Sequence, residues 1–234
     1  PLHQDPAERG LIPPPPAAAT ERRRLSSCPP RRQALDTKPL TATLSVAAQI
    51  LTEQGVEQVQ ITEVAERAKV SRPLVYRLFP TRKALVIALL HDFATRLGER
   101  FQAALLATWP GSVPDITRAF VDASCEAIEE HGAGPWLLLD NKGTDPELGR
   151  IGRAVLADLL LPWKRRLREL TGLPPRRSAN LLWVVVAAGR AALDGWIEGS
   201  ISRRMATEDA TRAVTALLLT FVKQQPSSPT LNDT

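Results

Sequence analysis

The sequence predicts an all-α protein, 234 residues long and organised in two parts. Apolar residues recur at three- and four-residue spacing through most of the chain, and no stretch sustains the two-residue alternation of a strand. Breakers at Pro110/Gly111/Pro114, His131–Pro135, Gly143–Pro146, Gly172–Pro175 and Gly199–Ala206 divide the later part into segments of helix length. With 44% apolar and 24% charged residues, the chain has the composition of a globular protein able to bury a core.

Residues 1–36 read as a disordered arm. Eight of the 20 prolines fall in residues 1–38, including the run Pro13–Pro16, and large apolar side chains are few. Such a segment cannot offset the entropy of ordering. Its clusters Arg22-Arg23-Arg24 and Arg31-Arg32 read as solvated charge, or as an arm that tracks a phosphate backbone. From Pro39 the spacing of Leu40, Leu44, Ala47, Ala48 and Leu51 predicts a first helix, stopped by Gly55. A short helix over Thr62–Ala68 follows, then a tight break at Lys69-Val70 and another short helix from Ser71 to about Phe79. Pro80-Thr81 opens a long helix to about Thr108, and the later breakers leave five more, about nine helices in all.

Charge and chemistry narrow the function classes. Residues 1–38 carry 7 basic against 4 acidic side chains, residues 39–90 carry 6 against 4, and residues 91–234 are balanced at 17 each. A basic first part beside a neutral remainder suits a module that meets a polyanion. Cys28 and Cys125 do not form a disulfide framework, and with His3, His91 and His131 they show no zinc spacing, so no metal or cofactor is expected. No nucleophile elbow or phosphate-binding glycine loop is present, and the carboxylates Asp140, Asp145 and Glu147 read as ordinary surface, so an enzyme is not expected. The uninterrupted apolar run from Leu181 to Gly189 is far shorter than the roughly 20 residues of a bilayer span. With no secretory h-region near the N-terminus, a cytoplasmic protein with no membrane partner is expected.

The most informative stretch runs from Ile61 to Phe79. Ile61, Val64, Ala65 and Ala68 form one apolar face, and the small alanines allow a second helix to approach closely. Val70 plugs the turn, Ser71 stands where an N-cap is wanted, and Pro73 falls in a first turn where a missing N–H costs nothing. Leu74, Val75 and Leu78 then face inward, which leaves Arg72, Pro73, Tyr76 and Arg77 on the leading and outer face. That surface suits a recognition helix in a major groove. Arg72 can make a bidentate contact to guanine, Pro73 can lie on a thymine methyl, and Tyr76 and Arg77 can reach phosphates.

These residues, with Ile50-Leu51-Thr52-Glu53-Gln54-Gly55 before them and Pro80-Thr81-Arg82-Lys83-Ala84-Leu85 after, resemble the N-terminal domain of the tetracycline-repressor (TetR) family of bacterial transcriptional regulators. The resemblance covers about residues 37–97 and implies a helix-turn-helix three-helix DNA-binding domain joined through a long fourth helix to a C-terminal bundle over residues 98–225, with 226–234 as a flexible tail. It implies that Thr62 contacts phosphate, that Ser71, Arg72, Pro73, Leu74, Tyr76 and Arg77 form the recognition surface, and that Arg82 and Lys83 begin the fourth helix with Lys83 as a phosphate anchor. Two positions depart from the family. Lys69 stands where a turn glycine is usual, so a left-handed backbone there carries a cost, and Leu78 replaces a frequent second aromatic.

Nine of the eleven aromatics lie beyond residue 90. Phe93, Phe101, Trp109, Phe120, Trp136, Trp163 and Trp183 are candidates to line an apolar pocket, with Cys125, His131 and Asn141 as polar contacts; the plain alternative is that they fill a core. The resemblance implies a small-molecule effector, and the aromatic excess suggests a largely apolar one. Two late segments, Leu181 to Ile197 and Ala213 to Val222, are apolar nearly all round, which in a monomer exposes a large patch. They predict a homodimer, isologous, through Leu182, Val185, Gly189, Leu193, Trp196, Val214, Leu218 and Phe221. Arg190 and Asp194, four apart, are expected to pair, and Lys164-Arg165-Arg166-Leu167-Arg168 reads as a solvated face. The expected function is a dimeric, ligand-responsive repressor of a double-stranded, pseudo-palindromic operator; the alternative is a ligand-independent regulator whose second domain only dimerises.

Overall fold

The computed structural model describes residues 30–109, 111–139 and 145–222. The expectations for most of the arm, for Asn141 and for the tail lie outside them. Among the described residues there are ten α-helices, one short 3-10 turn at Val56–Gln58 and no strand. In chain order they are α1 (Pro30–Gln54), α2 (Ile61–Arg67), α3 (Arg72–Leu78), α4 (Arg82–Thr108), α5 (Val113–His131), α6 (Ala133–Leu138), α7 (Pro146–Leu159), α8 (Leu161–Thr171), α9 (Pro175–Ile197) and α10 (Arg203–Phe221).

Two differences from the sequence expectation have the same origin, a proline whose tolerance depends on its place in a turn. Residues 30–36, expected in the arm, belong to α1, which runs through Pro39. An interior proline forfeits one backbone hydrogen bond, that of its missing N–H, which is why the pattern suggests a start there; the helix nevertheless continues on both sides of it. The segment between Pro146 and Thr171, expected as one helix, is two. Leu160 closes α7 and opens α8, and Pro162 occupies the first turn of α8, where it needs no N–H acceptor.

Side-chain caps fix several other helix starts. Thr81 accepts the Ala84 N–H at 3.1 Å to open α4, and Asp145 accepts those of Glu147 and Leu148 at 2.9 and 3.1 Å to open α7. Ser112 and Asp115 form a reciprocal capping box at the start of α5, and the Ser112 hydroxyl holds the Asp115 carboxyl below its ordinary range.

α4 is the spine. Leu85, Leu89 and Phe93 in its first half are buried with α1, α2 and α3, and Leu97 and Leu105 in its second half with the later helices. One hydrophobic core runs without a break from Leu44 and Val64 through Phe93 and Trp136 to Leu193 and Ala210. A smaller cluster of Leu156, Leu160, Leu167, Leu181 and Leu182 closes the far end. Helix α6 lies directly against α1, where the Gly134 N–H donates to Thr52 Oγ1 at 3.0 Å. At Gly152 on α7 a Cβ would stand 2.2 Å from the Leu138 carbonyl oxygen, so only glycine permits that approach to α6.

By length and composition α9 alone among the described helices could cross a membrane. It nevertheless carries Arg190 and Asp194 in its interior, both held by contacts to α6, and it packs against α8 and α10. These two residues both hold Trp136, a partner that the sequence does not suggest. Arg190 donates to the Trp136 carbonyl at 3.2 Å with its guanidinium 4.5 Å from the ring centroid, and Trp136 Nε1 donates to Asp194 at 3.0 Å.

Candidate functional site

Two features have the make-up of a site: the outer face of α2 and α3, and a cavity inside the later helices. At the first, α2 and α3 pack through Val64, Ala65 and Val75, all buried. Lys69 takes φ 54°, the left-handed backbone the sequence anticipates at the turn. Ser71 occupies the N-cap position of α3 with extended backbone, but its side chain makes no capping bond, and Pro73 lies in the first turn. Thr62, Ser71, Arg72, Pro73, Tyr76 and Arg77 are exposed together on one side, with Tyr76 at 47%. Leu74 is half-buried behind them.

Three of the cations assigned to this face are engaged within the chain. Arg72 forms an ion pair with Glu66 of α2. Arg82 donates to the Glu57 carbonyl at 3.0 Å and to its carboxylate at 2.9 Å, which ties the start of α4 to the 3-10 turn. Lys83 pairs with Glu147 in the first turn of α7, so the residue expected to anchor phosphate is held by the later part of the molecule.

The second feature is a cavity of about 410 Å³ lined by the seven helices α4 to α10. Its wall is almost wholly apolar. Of the sequence-predicted ligand residues it gathers Phe101, Trp109, Phe120, Trp136 and Trp163. Phe101, Phe120 and Trp163 form an edge-to-face chain across it, with centroids 5.1 and 4.8 Å apart. Arg166 stands over Trp109 at 5.8 Å.

The remaining candidates lie elsewhere, and burial explains each. Phe93 and His131 line a separate, more polar hollow of about 470 Å³ between α1, α4, the end of α5 and the start of α6. There His131 meets Phe93 edge-on at 6.1 Å, and burial pushes its pKa down. Cys125 is fully buried against Thr207 at 3.7 Å on the seam of α5 and α10, and burial pushes its thiol up, so it is a core residue. Trp183 points outward at 37% exposure and lines neither of these two cavities.

The dimer candidates also divide. Leu182, Leu193 and Val214 are buried inside the chain and, with Val185, Gly189 and Leu218, line the apolar cavity. Trp196 and Phe221 are half-buried against the core clusters. The outward face of α9 and α10 is carried instead by Trp183, Val184, Ala187, Ala191, Ala216 and Leu219. Each of these lies one or two positions from a predicted residue. An apolar pattern that runs all round a helix does not mark which side its own fold takes.

Residues 44–89 match the family model of bacterial regulatory proteins of the tetR family. The chain's helix-turn-helix segment is of the tetR type. The chain is 26% identical over 204 residues to the HTH-type transcriptional regulator BetI of Cronobacter sakazakii, covering 83% of its own length and 90% of that protein. Its fold resembles that of a TetR-family regulator from Rhodococcus sp., with a TM-score of 0.58, 21% identity and coverage of 80% and 100%. It also resembles one from Streptomyces coelicolor, with a TM-score of 0.60, 15% identity and coverage of 80% and 97%. The molecule is therefore a DNA-binding transcriptional regulator, and the face of α2 and α3 is its helix-turn-helix.

Sequence reasoning overlooked most of the cavity wall. Leu97, Leu105, Leu156, Leu160 and Leu170 line it and carry no signal that distinguishes them from core leucines. Arg166 was legible only as a member of a basic cluster.

Proposed function

We propose that the chain acts as a dimeric repressor, released from a pseudo-palindromic operator by a small apolar effector held in the cavity of α4, α5 and α9. The observation that carries this reading is the position of α4. Its second half walls the cavity through Leu97, Phe101, Leu105 and Trp109, and its first turn is fixed through Arg82 and Glu57 to the 3-10 turn that leads into α2. An occupant that tilts α4 therefore moves α3. Two recognition helices must stand about 34–36 Å apart to meet successive major grooves. A ligand that prefers a differently spaced state weakens DNA binding by as much as that preference allows, and no more.

On the DNA face Thr62, Ser71, Arg72, Pro73, Tyr76 and Arg77 make the contacts, with Arg72 exchanging Glu66 for a base edge and Lys83 exchanging Glu147 for a phosphate. The dimer forms through the outward faces of α9 and α10. The test is binding to the duplex flanking the gene, against a random duplex of equal length at fixed salt, with an Arg72→Ala/Tyr76→Ala variant alongside. Selective binding that the variant loses supports the reading. Equal, steeply salt-dependent binding to both duplexes, which is the phosphate contribution alone, sinks it.

A further inference from the structure

The shape and charge of the apolar cavity select among chemical classes of occupant. It is long. On α4 its lining residues Leu97, Phe101, Leu105 and Trp109 stand four apart on one face, and on α5 it reaches from Val113 to Ser124, on α9 from Leu182 to Leu193. At a rise of 1.5 Å per residue each helix follows it for roughly 17 Å. The edge-to-face row of Phe101, Phe120 and Trp163 crosses the middle, and a fused-ring body would have to part it.

The two ends differ. At the inner end Leu97, Trp136, Leu139 and Leu193 are all buried, and Arg190 is folded onto Trp136. At the outer end Trp109 and Arg166 are half-buried and Leu170 is 40% exposed, so this end meets solvent. Of the charged side chains of α8, Arg166 and Glu169 line the cavity here, and Glu169 is already bonded to Arg165 at 2.8 Å, which leaves Arg166 as the cation at the mouth. Lys164, Arg165 and Arg168 are not part of its wall.

We propose that the occupant is a single-chain amphiphile with an anionic head, its tail extended along α4 and its head at the mouth against Arg166. The tail replaces water along an apolar wall, and the head keeps its hydration at the exposed end while gaining a charge-assisted hydrogen bond from a guanidinium already oriented by Trp109. This inference rests on the effector reading above, but it can fail separately.

The full-length protein is titrated with decanoate, decanol, decyltrimethylammonium and the rigid ring carboxylate cholate, each below its micelle concentration, with tryptophan fluorescence as the readout. Decanoate is expected to bind about five- to tenfold more tightly than decanol. Affinity rises about three- to fourfold per added methylene from eight to twelve carbons. Arg166→Gln, a partly exposed substitution, brings decanoate down to the decanol level and leaves decanol unchanged. Equal binding of decanoate and decanol, preference for the cationic head, tighter binding of cholate, or no binding by any probe overturns the proposal. A parallel DNA titration separates the two readings. If decanol or cholate binds more tightly and releases DNA, the effector reading stands and the anionic amphiphile falls. If decanoate binds as expected and DNA affinity does not change, the amphiphile stands and the effector reading falls.

Discussion

At Lys69 the turn between α2 and α3 imposes a left-handed backbone on a side chain that resists it. Lys69→Gly is expected to raise stability by up to about 1 kcal/mol, seen as a higher denaturation midpoint with an unchanged slope. A lowered midpoint would show that the lysine side chain contributes more than its backbone costs. His131 makes stability depend on pH. Burial lowers its pKa below the ordinary 6.5, opposed by Glu130 and Asp92 and reinforced by Arg96 and Arg100. The unfolded chain therefore takes up the proton first, and the contribution of His131 is complete above pH 6.5 and lost as pH falls below it. Thermal unfolding from pH 8 to 5.5 should fall less steeply in His131→Gln; an identical slope would assign the loss to other groups. Local geometry of this kind is legible in sequence when one turn decides it, as at Lys69. It is not legible where a distant partner takes part, as Trp136 does for both Arg190 and Asp194.

Helix α6 is six residues long, too short to stand alone, and its place depends on what holds it. On one side Thr52 of α1 accepts the Gly134 N–H while donating to the Ala48 carbonyl at 2.8 Å. On the other Gly152 of α7 admits the Leu138 carbonyl. Thr52→Val leaves the Gly134 N–H without its acceptor and is expected to cost about 1–2 kcal/mol. Gly152→Ala drives a methyl into a carbonyl oxygen and is expected to cost about 1–3 kcal/mol by overpacking. Urea unfolding measures both, and an unchanged midpoint in either would mean that α6 shifts freely. Most helices were readable from apolar spacing and breakers, because period and punctuation are local. The division of α7 from α8 was not, since Pro162 in a first turn looks the same in sequence as a proline inside a helix.

For the molecule as a whole, the outward faces of α9 and α10 leave Trp183, Val184 and Leu219 at 37%, 43% and 52% exposure. Trp183→Asp with Leu219→Asp should convert a dimer into a folded monomer by sedimentation, with loss of operator binding and no loss of helicity. A variant that still sediments as a dimer would place the interface elsewhere. The site was legible in proportion to how local its pattern is. The helix-turn-helix fits within nineteen consecutive residues, from Ile61 to Phe79, whereas the cavity is assembled from seven helices and its leucines resemble any core. The unbroken core across α4 also bears on engineering. Grafting the DNA-reading head of one relative onto the body of another is attractive when the two meet at a linker. Here a graft cut near residue 97 would sever α4 and separate Thr52 from Gly134 and Lys83 from Glu147. A working chimera would have to carry these pairs across together, so the heads of such regulators are exchangeable only with the surfaces on which they rest.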